Sequence, residues 1–287
     1  MIKIKKEMRT LKLTSNRSLF ILGMLALMLL LVSFMWIDLE PKNRNENKLS
    51  LTNIEDTNGE KTNKKNVNID PKATDILQGS MDYLSSLNEF SVKVQNTLED
   101  LNEIGHRVDY EISTSVIVQR PNKLFSEYHN IKYNQKFYYN GKTLTQYNPN
   151  EKVYAMEKAP GTIEEMLHFA RDTYGITAPT SDLIYNNAFA LLMYNVNYAT
   201  VIGKEMIRDV MCYHLLFSKP GVDFQIWIAD KGDPLPYKYV VTDTATPELL
   251  GFTSYMRNWN TSPKVNQNIF EFKTPKGTKK IPFIKVN

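Results

Sequence analysis

The side chains best suited to chemistry are few and scattered. Cys212 and His214 stand two apart in an alternating run and so share one side of an expected strand. Their Cα atoms would lie some 7 Å apart with the side chains roughly parallel, whereas a nucleophile needs its base aimed at sulfur. Cys212 therefore reads as a small buried residue. Glu164, His168 and Asp172 recur every four residues on one helix face, a spacing that could in principle bind a metal. They lie opposite an apolar stripe, where a solvated polar face is expected. Gly141-Lys142-Thr143 resembles the end of a phosphate loop, but Lys136 stands where the first glycine is required, and an Asn140-Gly141 hairpin turn accounts for the motif. No Gly-x-Ser-x-Gly elbow occurs, and His106 and His129 fall near turns outside any cluster. A single cysteine rules out an internal disulfide framework and a cysteine-based zinc cluster. The reading is of a protein that is not an enzyme, with no catalytic residue, metal site or cofactor.

The elements around these residues point to an exported domain. The chain has 287 residues and a formal charge of +4, but residues 1–18 alone carry Lys3, Lys5, Lys6, Arg9, Lys12 and Arg17 against Glu7. Everything after this basic tail sums to a slight negative charge, which argues against a nucleic-acid partner. Residues 19–37 are apolar apart from Gly23 and Ser33. At about 1.5 Å per residue they reach roughly 28 Å, close to the thickness of a bilayer's hydrocarbon core. Trp36 sits at an interface position, Asp38 and Glu40 follow, and no Ala-x-Ala cleavage pattern closes the run. This predicts an uncleaved transmembrane signal anchor in the inner membrane, N-terminus in the cytoplasm and the remainder in the periplasm; a cleaved signal would leave a secreted periplasmic protein. Residues 38–72 hold eight Asn with seven acidic and seven basic side chains, the composition of a disordered polar linker.

Residues 73–287 read as the folded, β-rich domain. Asp70-Pro71 offers a helix cap, and Ala73, Ile76, Leu77, Met81, Leu84 and Leu87 then recur at helical spacing. From Phe90 the period changes to two. Short alternating pieces broken by Arg120-Pro121-Asn122, Asn140-Gly141 and Asn148-Pro149-Asn150 predict an antiparallel meander up to residue 158. A capping box at Thr162–Glu165 opens a helix with Ile163, Met166, Leu167, Ala170 and Tyr174 on one side, and a second helical stretch spans 181–194. Strand patterns resume from Tyr198 and end at 269–272. Residues 222–228 and 235–241 are apolar on both faces, which suits either a sheet curled around apolar content with a helix against its outside or ordinary central strands.

Several ordered segments carry a family resemblance: Val118-Gln119-Arg120-Pro121-Asn122-Lys123-Leu124, Phe137-Tyr138-Tyr139-Asn140-Gly141-Lys142-Thr143-Leu144, Ala159-Pro160-Gly161-Thr162-Ile163, Asp223-Phe224-Gln225-Ile226-Trp227-Ile228 and the closing Phe270-Glu271-Phe272-Lys273-Thr274-Pro275-Lys276-Gly277. Over about residues 73–282 the chain resembles the predicted periplasmic proteins called domain of unknown function 2092. That family is similar in architecture to the Lol-type lipoprotein carriers. The resemblance implies an α+β fold, mainly antiparallel: an unclosed half β-barrel of about ten or eleven strands with a leading helix and a two-helix lid. It also implies an apolar cavity for a lipid or a lipoprotein acyl chain. Candidate ligand-binding residues are Phe224, Ile226, Trp227, Tyr239 and Phe252 on strands and Met166 and Leu167 on the lid. The competing expectation is an interaction or sensor module that binds another envelope protein without a small ligand. An envelope hydrolase is the weakest reading, since no nucleophile and base pair up.

Overall fold

The structure is a computed structural model that describes residues 68–130, 134–176 and 178–286. The basic tail, the expected membrane anchor at 19–37 and the linker up to residue 67 lie outside the described residues. Among those described, no helix is long and apolar enough to cross a membrane.

A two-residue strand, β1 (Asn68–Ile69), leads into helix α1 (Pro71–Ser86). Asp70 caps this helix, its Oδ1 accepting the Lys72 amide at 2.9 Å with proline at the first helical position. Residues 68–72, expected in the linker, are thus part of β1, the cap and the first turn of α1. A meander follows: β2 (Glu89–Leu101), β3 (Arg107–Gln119), β4 (Lys123–His129), β5 (Asn134–Tyr139), β6 (Thr143–Asn148) and β7 (Val153–Lys158). After the helical insertion come β8 (Tyr198–Ile207), β9 (Val210–Lys219), β10 (Val222–Ala229), β11 (Pro236–Asp243), β12 (Gly251–Asn260) and β13 (Lys279–Lys280).

Among the described residues thirteen strands form one sheet in the order β1-β8-β9-β10-β11-β12-β2-β3-β4-β5-β6-β7-β13, and its two ends do not pair with each other there. The two meanders join where β12 lies antiparallel to β2, with Phe252 opposite Leu98 and Met256 opposite Val94. The count exceeds the expected ten or eleven because β1 and β13 are two-residue parallel additions, too short to leave a periodic signature. The strand expected at 269–272 is instead a 3-10 turn (Gln267–Phe270): the Asn266 side chain accepts the Asn268 amide, and Phe270 is buried. Just beyond it, Phe272 packs on the outer face against Tyr138, Tyr147 and Tyr154, at centroid separations of 5.4, 5.4 and 4.9 Å.

The register assigns each side chain to a face. Phe90, Val92 and Val94 of β2 share the inner face with Val118 of β3, Leu124 of β4, Tyr139 of β5 and Leu144 of β6. Across β12 and β11 the same face continues through Phe252, Tyr239, Ile226 and Phe217. Helix α1 buries Ala73, Leu77, Met81 and Leu84 in the cluster that holds these inner-face residues. The leading helix therefore lies inside the curl rather than against its outside. Ser80, on the same helix, donates its hydroxyl to the Pro234 carbonyl at 2.6 Å.

A candidate apolar binding cavity

The helical insertion roofs the other half of the inner face. Helix α2 (Ile163–Tyr174) starts from a complete capping box between Thr162 and Glu165 and stops at Gly175, whose φ of 64° is the left-handed turn glycine adopts without strain. Its buried residues Ile163, Met166, Ala170 and Tyr174 recur at three- and four-residue steps and face the sheet. The stretch 181–194, expected as one helix, is divided. A 3-10 turn (Ser181–Ile184) precedes Tyr185, whose extended backbone breaks the helix, and the six-residue helix α3 (Ala188–Met193) follows.

Three contacts hold this roof. Tyr139, fully buried on β5, places its hydroxyl 2.5 Å from the Pro160 carbonyl and 3.0 Å from that of Thr162, and burial pushes its pKa up to about 12. Arg120, at the end of β3, donates to the Ile184 carbonyl at 2.6 Å and lies 3.6 Å from the Glu164 carboxylate, which also accepts the Asn186 amide at 3.2 Å. Asp182 is buried under the roof and accepts the Tyr239 hydroxyl at 3.0 Å. Burial raises the Asp182 carboxyl above the usual carboxylate range, against the opposing pull of Tyr239, Lys219 and two backbone amides.

Between roof and sheet lies a partly open cavity of about 180 Å³. Val94, Ile112, Val116, Leu124, Phe137 and Leu144 supply its floor, and Met166, Leu167, Ala170 and Ile176 its roof. Asn96, Thr114 and Ser126 interrupt the floor, while Arg171 and Asp182 reach it from the roof. A cavity of about 150 Å³ is large enough for benzene, so this space is of the size of an aromatic ring or a short apolar segment.

The candidate residues divide. Met166, Leu167 and Phe252 stand on the cavity wall. Phe224, Ile226 and Tyr239 share the inner face but are buried in close-packed core, so they do not line the cavity. Helix α1 and the roof turn cover that half of the sheet. Trp227 points the other way. It stacks on His214 at 4.0 Å, donates its indole N–H to Glu205 and carries the Lys238 ammonium 4.2 Å above its ring. With Ile207 and Cys212 it forms a separate outer-face cluster, which explains why β10 is apolar on both sides. Of the lining residues that the sequence does not single out, Val94, Ile112 and Leu144 lie between polar neighbours while Val116 and Leu124 adjoin Ile117 and Phe125, and neither pattern distinguishes a cavity wall from packed core.

The other chemically capable groups are engaged elsewhere. Cys212 is buried, its thiol pushed up to about 11, and it donates to the Val210 carbonyl. His214 meets Gln225 through Nε2 at 2.8 Å and Glu205 through Nδ1 at 3.2 Å, so neither nitrogen is turned to the sulfur. His168 packs edge-on against Tyr185, and Arg171 donates to its Nδ1 at 2.9 Å, while Arg171 Nε also bonds Asp172 at 2.6 Å. Among the described residues, no three His, Cys, Asp or Glu side chains converge as a metal site.

Comparison with solved structures finds partial likenesses at low identity. LprF from Mycobacterium bovis aligns at 14% identity and TM-score 0.44, over 74% of this chain and 99% of that one. The Mycobacterium tuberculosis lipoprotein LppX aligns at 14% identity and TM-score 0.40, over 69% and 100%. A LolA superfamily protein from Nitrosomonas europaea aligns at 11% identity and TM-score 0.33, over 70% and 97%. No curated protein matches. The family comparison covers residues 73–284, nearly all of the described domain: the chain belongs to the predicted periplasmic protein family called domain of unknown function 2092.

Proposed function

We propose that this domain is a non-catalytic binding module of the periplasm that holds an apolar chain, of a lipid or a lipoprotein, between its sheet and its helical roof. The observation that carries the reading is the cavity itself, left open between apolar walls in a domain whose other half is closed by α1. Interiors normally pack without such voids, and an unfilled apolar wall forfeits contacts that an occupant would restore. The family's description as predicted periplasmic proteins agrees with an exported domain. In this reading residues 19–37 anchor the chain in the inner membrane and residues 38–72 hold the domain off its surface. Met166, Leu167 and Phe252 are the contact residues among the sequence candidates. The engaged states of Cys212, His168 and His214 fit a role without catalysis.

The affinity expected is moderate. A chain losing roughly 300 Å² of apolar surface to the wall gains about 7 kcal/mol at about 25 cal/mol per Å², before ordering costs. That places dissociation constants in roughly the micromolar to millimolar range. Native mass spectrometry of the full-length protein, with solvent extraction of whatever co-purifies, tests the reading. A reproducible lipid of stoichiometric mass supports it. A mass that is ligand-free and unchanged on adding phospholipid or lipopeptide rejects it in favour of an envelope protein partner.

A further inference from the structure

The floor of the cavity is not uniformly apolar, and its polar groups form a row rather than a scatter. Ser254 of β12 is fully buried and donates to Asn96 Oδ1 on β2 at 2.5 Å. Asn96, only 3% exposed, donates to Thr114 Oγ1 on β3 at 3.3 Å. Ser126 of β4 lies opposite Val116, one inner-face step along β3 from Thr114, and lines the same cavity. The row crosses four strands in order.

Its hydrogen-bonding capacity is only partly used. An amide side chain offers two protons and two lone pairs, and Asn96 spends one of each within the protein. The Thr114 hydroxyl accepts from Asn96 but donates to no group among the described residues, and the Ser126 hydroxyl has no protein partner there. Asn96 is buried but Thr114 and Ser126 are only partly so, and an occupant that displaces water from these hydroxyls without replacing its hydrogen bonds loses affinity, so the row favours an occupant with acceptor atoms at this depth.

Charge decides which acceptor. Among the described residues the one acidic side chain on the cavity wall is Asp182, and the one basic side chain, Arg171, already bonds Asp172 and His168. A carboxylate or phosphate lowered onto the row would lose its hydration beside a cation already committed to Asp172 and His168, whether or not Asp182 carries its proton. A carbonyl in an uncharged linkage would lose far less.

We propose that Asn96, Thr114 and Ser126 form a subsite for the uncharged ester or amide carbonyl of an acyl-chain ligand, so that the cavity prefers neutral acyl esters or amides to free fatty acids of equal length. This rests on the apolar-chain reading above.

The test uses the full-length protein and displacement of N-phenyl-1-naphthylamine, a neutral dye that fluoresces in apolar cavities. The competitors at pH 7.5 are methyl laurate, lauramide, laurate and dodecane. The ester or the amide is expected to displace the dye at about fivefold lower concentration than laurate and dodecane. Whichever of the two is better identifies the linkage. Thr114→Val with Ser126→Ala removes two hydroxyls at nearly constant shape. It should flatten that preference while leaving dodecane unchanged, with a thermal melt confirming the fold. Laurate or dodecane competing as well as the ester, or a preference that survives the double variant, overturns the subsite. A dye that does not bind, or that none of the four chains displaces, overturns the apolar-chain reading itself and the subsite with it.

Discussion

Asp182 concentrates the unusual physics of the molecule in one carboxyl. It is buried beneath the roof, bonded to the Tyr239 hydroxyl and faced through space by Lys219, yet burial outweighs these partners and its pKa is raised. An acid with a raised folded value keeps its proton in the native state while the unfolded chain releases it near pH 4. The stability this contributes is whole below about pH 4 and is lost as pH rises through the folded value. Asp182→Asn keeps an acceptor for Tyr239 and abolishes the titration. The variant's melting temperature relative to wild type should therefore climb as pH rises above about 4 and level off once the folded value is passed. A difference that stays flat with pH, or falls, contradicts the assignment. Tyr239 shows where sequence reading stops at this scale: its type and face were legible, but its partner comes from a turn 57 residues away that no local pattern connects to it.

At the scale of elements, local chemistry was most legible where one short motif decides the structure. The Asp70 cap, the Thr162–Glu165 box and the hairpin at Asn140-Gly141 each act within four residues, and each stands as read. Gly141 is held by more than its turn, since a Cβ there would meet the Asn122 amide at 2.7 Å. The misreadings involve tertiary choices. Residues 181–194 carry a helical pattern throughout, yet Asp182 and Tyr185 are drawn into the core and divide it. Phe270 and Phe272 alternate like a strand, but they serve as separate aromatic plugs on the sheet's outer side. Because α2 is fixed chiefly at its start, Thr162→Ala should cost about 1 kcal/mol by leaving its first amides uncapped. Hydrogen exchange should show the increase concentrated in 163–174, with the β2–β3 hairpin unchanged. A uniform increase across the domain would mean that the roof does not open separately from the sheet.

Across the whole molecule, one curled sheet offers its inner face to two different covers. Over β8 to β11 the cover is α1, anchored by Leu77, Met81 and Leu84, and the interior there is solid. Over β2 to β6 it is the inserted roof, and the interior is left partly empty. Aromatic density and doubly apolar strands draw attention to β10 and β11, which is the filled half. The empty half lies beneath ordinary alternating strands, because a cavity is made by what does not reach it, and no residue's own type records that. This division separates stability from binding. Leu77→Ala removes a fully buried side chain from the filled half and should cost about 2–5 kcal/mol, a fall of roughly 5–15 °C in melting temperature, while leaving the extracted ligand unchanged. Ala170→Phe directs a ring from the roof into the space and should do the reverse. Normal overpacking costs about 1–3 kcal/mol, but a side chain entering a void finds contacts instead of clashes, so the melting temperature should hold within a few degrees while co-purified lipid disappears. If Ala170→Phe melts as early as Leu77→Ala, the roof is packed as tightly as the helix side and the division between the halves fails. If it stays folded with its lipid intact, the occupant lies somewhere other than beneath this roof.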